Sequence, residues 1–120
     1  MTEQNNLGLD RYVEAILDRK ALDVVVLDLR GLVSFADIFI ICSGRSHRQV
    51  SAIAESVEQD LKVKGIKSMG VEGLREGHWV LMDYGDVVIH IFYEPIRIFY
   101  DLEGLWSDAK RIRTEQSKVK

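Results

Sequence analysis

The 120 residues predict a single α/β domain, a mixed five-stranded sheet flanked by helices. Three observations carry that expectation. Segments dense in β-branched residues, 23–29, 37–44 and 86–93, read as strands covered by other elements. Stripes of helical period separate them. The length leaves little room for a second domain.

In order, Leu9, Val13, Ile16 and Leu17 make one helical stripe. Asn5 and Asn6 are candidate caps, and the helix should end near Lys20. Residues 23–29 form the first strand and 37–44 the second. The short link between them, through Gly31 and Ser34, favours an antiparallel pair. Ser46-His47-Arg48-Gln49 is a capping box opening a second helix. Its buried stripe is Val50, Ile53, Ala54, Val57 and Leu61, and Gly65 stops it. A strand over 66–71 should run parallel to the second strand, because the helix supplies the crossover. Residues 72–77 read as a loop. Two strands, 79–83 and 86–93, flank Tyr84-Gly85 as a hairpin. Pro95 ends the last strand. Phe99, Leu102 and Trp106 have helical spacing, so a short helix or two closes the domain, which spans residues 1–109.

Sixteen basic against nineteen acidic residues give a net charge of −3. Residues 110–120 carry +4, which leaves −7 for residues 1–109. An acidic body suits a basic protein partner better than extended duplex nucleic acid. The basic tail reads as a flexible terminus, and as the one segment suited to contact RNA. The longest apolar runs fall far short of a membrane span, and the first ten residues show no signal-peptide pattern, so the cytoplasm is expected. One cysteine, Cys42, excludes an internal disulfide framework and a cysteine-built zinc site.

Several chemistries find little support. Gly44-Arg45-Ser46, between a strand and a helix start, is where a nucleotidyltransferase would hold phosphate. Such an enzyme also needs a carboxylate pair for two metals. Asp86 has no partner beside it, and Asp101 and Glu103 fall in a helix where that spacing separates them. A nucleotide-binding enzyme is therefore the competing expectation. The three histidines lack metal-ligand spacing, and Cys42 lies in an apolar strand. No metal and no cofactor is expected.

A surface is the better candidate. Trp79, Leu81 and Asp83 share one face of their strand. In the next strand Val87, Ile89 and Ile91 suit the core, which leaves Asp86, His90 and Phe92 on a mixed face beside Trp79 and Asp83. Trp is a natural anchor for a partner. The competing reading of Trp79 is packing under a loop, and of His90 a core histidine satisfied by a backbone carbonyl.

Motifs spread from about residue 7 to 109 carry a resemblance. They are Asp37 with Ser43-Gly44 and Ser46; Arg48-Gln49-Val50 with Ile53-Ala54; Glu72-Gly73; Trp79-Val80-Leu81, Asp83, Gly85-Asp86 and His90-Ile91-Phe92; and Arg97, Tyr100, Leu102-Glu103 and Leu105-Trp106. In order and spacing they resemble the ribosomal silencing factor family, RsfS or Iojap. The resemblance implies a nucleotidyltransferase-like fold without the catalytic carboxylates or transferase activity. It implies binding to ribosomal protein L-fourteen on the large ribosomal subunit, a block on joining of the small subunit, and repression of translation when nutrients run short. A part in large-subunit biogenesis is also implied. On that footing Trp79 is the expected apolar anchor, with Leu81 and Phe92 beside it. Asp83, Asp86 and Glu72 would pair with basic residues of the partner, and His90 and Tyr100 would hydrogen-bond to it. The same exposed sheet face would support a homodimer when free, and the tail could touch ribosomal RNA.

Overall fold

Helix α1 (Leu9–Leu17) forms on its apolar stripe, with Leu9, Val13 and Ile16 fully buried. The computed structural model describes residues 8–112, so the expected caps Asn5 and Asn6 lie outside the described residues. Gly8, in the left-handed region, occupies the N-cap position instead.

Strand β1 (Leu22–Asp28) pairs antiparallel with β2 (Ile38–Gly44), as the short link requires. Every residue of β2 is buried. In β1 only Val26 and Leu27 are, so the expected two-sided cover holds over part of its length. An extra residue at the Leu22/Val25 register shift, with Asp23 at φ 50°, opens the first half outward.

Helix α2 (His47–Val63) begins at Ser46, whose Oγ accepts the Gln49 N–H at 3.0 Å. The Gln49 side chain reaches back one residue beyond the expected partner and accepts the Arg45 N–H at 2.6 Å. All five residues of the expected stripe are buried. The helix ends in paired bonds, Gly65 N–H to the Lys62 carbonyl and Ile66 N–H to that of Leu61, with Gly65 at φ 85°.

That cap takes Ile66 out of the next strand. Strand β3 (Gly70–Glu72) is shorter and later than expected, and it pairs antiparallel with β4 (Trp79–Asp83). Strand β5 (Val87–Tyr93) lies antiparallel to β4 and parallel to β2. Thus β3 runs in the same direction as β2, with β4 and β5 between them. The hairpin turn is Gly85-Asp86 rather than Tyr84-Gly85: Tyr84 N–H donates to the Val87 carbonyl at 2.8 Å, and Gly85, first in the turn, takes φ 86°. The change moves the pairing by two residues, so every side chain keeps its expected face.

Pro95 lies in the first turn of helix α3 (Glu94–Tyr100), and helix α4 (Leu102–Leu105) follows. Strand β6 (Lys110–Arg111) then pairs with β1, and Ile112 N–H donates to the Val26 carbonyl at 2.9 Å. The sheet therefore has six strands, not five, in the order β3-β4-β5-β2-β1-β6. The start of the expected tail is an edge strand. One sheet face carries α1, α2 and the larger core. The other carries α3, α4 and the β1–β2 link over a smaller core.

Candidate functional site

Alternation along β4 points Trp79, Leu81 and Asp83 to the smaller-core face. Across the ladder Trp79 stands opposite Phe92, Leu81 opposite His90, and Asp83 opposite Val88. The structure thus brings Trp79, Leu81, His90 and Phe92 together as expected. It does not leave them equally open. Phe92 is fully buried and His90 only 3% exposed, while Trp79 and Leu81 are half-buried. The mixed face is largely covered, because α3, α4 and the β1–β2 link pack on it.

Trp79 is the outer layer of an aromatic cluster. Its ring centroid lies 4.8 Å from Phe92 and 5.2 Å from Tyr100. Its indole Nε1–H donates to His90 Nδ1 at 3.0 Å. His90 is therefore a core histidine whose Nδ1 is satisfied by an indole, not by a backbone carbonyl. The edge-to-face contact of Phe39, 4.5 Å away, closes the other side. Burial pushes the His90 pKa down to about 4, so the ring is neutral at pH 7.

The acidic residues separate into two groups. Glu72 is exposed on edge strand β3, opposite Leu81. Asp83 and Asp86 sit at the hairpin end, about 13 Å along β4 from Trp79. Asp83 accepts the Gly85 N–H at 2.8 Å, which holds the turn. Asp86 is exposed at the tip.

Tyr100, an expected site residue, lies against Trp79 and is 55% exposed. Sequence reasoning missed the large apolar residues that α3 and α4 expose: Ile98 at 76%, Phe99, which contacts Tyr100, at 77%, and Leu105 at 70%. A signal for them existed: three consecutive large apolar residues on a short helix span too wide an arc for all to face inward. Leu32 and Phe35, in the link that covers the same sheet face, are also exposed. Arg97 fixes this layer. Its guanidinium donates to Ser43 Oγ at 2.7 Å and, through Nε, to Glu103 at 2.8 Å, tying α3 and α4 to the end of β2.

The helix start at Gly44-Arg45-Ser46 is already occupied by its own side chains. Gln49 Oε1 takes the Arg45 N–H and Ser46 Oγ takes the Gln49 N–H, two donors that an anion would need. Burial raises the Cys42 thiol to about 12, far from a nucleophile's range. Among the described residues no three His, Cys, Asp or Glu side chains are placed to hold a metal, and no helix is long and apolar enough to cross a membrane.

The family described as "Ribosomal silencing factor during starvation" matches residues 2–120. A Ribosomal silencing factor RsfS from Halalkalibacterium halodurans is 43% identical over 115 residues, covering 96% of this chain and 97% of its own. A crystal structure from Chromobacterium violaceum superposes with a TM-score of 0.80 at 41% identity, covering 89% of this chain and 88% of the other. More distantly, a mouse protein named "Mitochondrial assembly of ribosomal large subunit protein 1" is 28% identical over 102 residues, covering 82% of this chain and 45% of its own.

Proposed function

The chain belongs to the ribosomal silencing factor family, and on that premise we propose that it binds the large ribosomal subunit through ribosomal protein L-fourteen and so blocks joining of the small subunit. The observation that carries this reading is Trp79, half-buried and framed by Tyr100 and Phe92, beside an exposed apolar ridge on α3. A large rigid ring in an apolar surround with an acidic rim has the make-up of a protein-binding anchor. Its rim acids, Glu72 nearest, suit a basic ribosomal protein.

Blocking requires bulk and occupancy, not turnover. The described body measures 36 × 33 × 30 Å, enough to fill a gap between two rigid surfaces. Micromolar occupancy requires about −8 kcal/mol. Truncating a central anchor such as Trp79 should remove about 2 kcal/mol or more of that, roughly a 30-fold loss. In this reading Trp79, Leu81 and Tyr100 touch the partner, and Glu72 pairs with its cations. Asp83 and Asp86 meet it only if the contact extends along β4. Phe92 and His90 act from below, through Trp79. The protein works in the cytoplasm, repressing translation under nutrient limitation and assisting late large-subunit assembly. A fold of nucleotidyltransferase type that lacks the carboxylate pair accords with a binding role.

The test is co-sedimentation with purified large subunits, together with a subunit-joining assay. Wild-type protein should pellet with large subunits and reduce joining, and Trp79→Ala should do neither while still unfolding cooperatively, at a lowered melting temperature because His90 Nδ1 loses its donor. Equal retention of the two proteins removes Trp79 from the interface. Isolated L-fourteen in a pull-down distinguishes it from other large-subunit sites.

A second copy of the chain is also a candidate occupant of this surface. Six of the eight exposed large hydrophobics among the described residues lie in segments that cover the smaller-core face. A self-complementary pair would bury them. Dimer and ribosome would then compete, and added large subunits should lower the dimer fraction seen by light scattering.

A further inference from the structure

We propose that His90 is the positioning residue of the Trp79 surface, a neutral imidazole carrying its proton on Nε2 that holds the indole by accepting its N–H at Nδ1. The inference rests on the reading that Trp79 meets the partner, and it adds what sets the anchor's pose.

An indole nitrogen can only donate. The 3.0 Å contact from Trp79 Nε1 therefore requires a lone pair on His90 Nδ1. A neutral ring then carries its hydrogen on Nε2, and that atom is buried with no partner among the described residues. A charged ring would set two donors against each other at Nδ1. Packing gives no reason for a histidine here. Its strand neighbours Val88, Ile89, Ile91 and Phe92 are apolar and buried, and a nitrogen left unsatisfied weakens the fold. What His90 supplies is an acceptor directly under Trp79. The bond selects one rotamer and presses the ring along Phe92 and Tyr100.

A consequence for recognition follows. The single polar atom of Trp79 is engaged inward, so the ring offers only carbon to a partner. The group that meets it is then an aliphatic chain or a cation over the ring face, and the acidic rim favours a Lys or Arg side chain.

The experiment compares His90→Leu with His90→Asn. Leu has similar bulk and no acceptor, whereas Asn places Oδ1 where Nδ1 stands. Binding to purified large subunits is measured at fixed salt. The indole N–H resonance is followed in a Trp106→Phe background, where Trp79 is the one remaining indole. In His90→Leu the affinity should fall about tenfold and the indole N–H should shift and exchange faster with water. His90→Asn should restore both. Should His90→Leu fail to fold, His90→Gln, with its acceptor at the Nε2 position, takes its place and should lose what Asn retains. If the variants lacking an Nδ1-like acceptor bind within twofold of wild type while Trp79→Ala does not bind, the positioning role is overturned and the binding surface stands. If Trp79→Ala itself binds normally, the surface and its positioning residue fall together.

Discussion

At the residue scale, the neutral ring of His90 ties stability to pH. Its pKa lies at about 4 when folded, against 6.5 in an ordinary setting, because burial disfavours the charged form. The unfolded chain therefore binds more protons between those values. This contribution is complete above pH 6.5 and is lost as pH falls toward 4, amounting to roughly 3 kcal/mol at two and a half units. Melting temperature should drop across that window in the wild type and drop less in His90→Asn. An unchanged slope in the variant would assign the acid sensitivity to other groups. Gly73 gives a second prediction. It holds φ 84°, and a Cβ there would stand 2.1 Å from the Trp79 carbonyl. Gly73→Ala should cost about 2 kcal/mol and disturb the Trp79 backbone, visible as a lower denaturation midpoint. Which residues formed the aromatic cluster was legible in part. Alternation placed Trp79, His90 and Phe92 on one face, because a strand's side-chain period is two whatever the register. It could not tell which of them the last helices would cover.

At the element scale, the C-terminal helices depend on a long-range tie. Neither α3 nor α4 has a fully buried residue. Arg97, joined to Ser43 and Glu103, ties them to the end of β2, beside the partly buried Ile96 and Leu102 that rest on the smaller core. Arg97→Met should raise amide exchange across residues 94–105 tenfold or more while the β2 and β5 amides keep their protection. Uniform loss of protection would instead make Arg97 part of the global fold. Helix α2 offers a local counterpart: Ser46→Ala should lower stability by about 1 kcal/mol through its lost cap. The contrast explains which elements could be read in advance. Helix α2 was readable from cap to stop because its signals are contiguous. Strand β3 was misplaced because the turn bonds after α2 claim Ile66, and its pairing with β4 is set far away in sequence. Strand β6 gave no local signal: two charged residues become a strand only because β1 presents an open edge.

At the scale of the whole molecule, charge and shape act together. Residues 1–109 carry −7, and Glu72 and Asp101 are exposed. Association with a basic partner should be fast at low salt and slow as salt rises, with the dissociation rate changing less. Glu72→Lys should reduce the on-rate in stopped-flow measurements and flatten that salt dependence. An on-rate indifferent to both salt and Glu72 would show that steering comes from elsewhere on the surface.

The linear chain by itself determined the α/β class, the helix stripes, the antiparallel first pair, the hairpin faces and, through spaced motifs, the family. Those properties depend on near neighbours, where residue type and period act directly. Only the tertiary structure decided that β5 and not β3 lies beside β2, that a sixth strand closes the edge, and that Trp79 stays half-open while His90 and Phe92 are sealed beneath it. Those outcomes depend on which distant segment reaches a surface first and covers it, and neither adjacency in space nor depth of burial is written in local spacing.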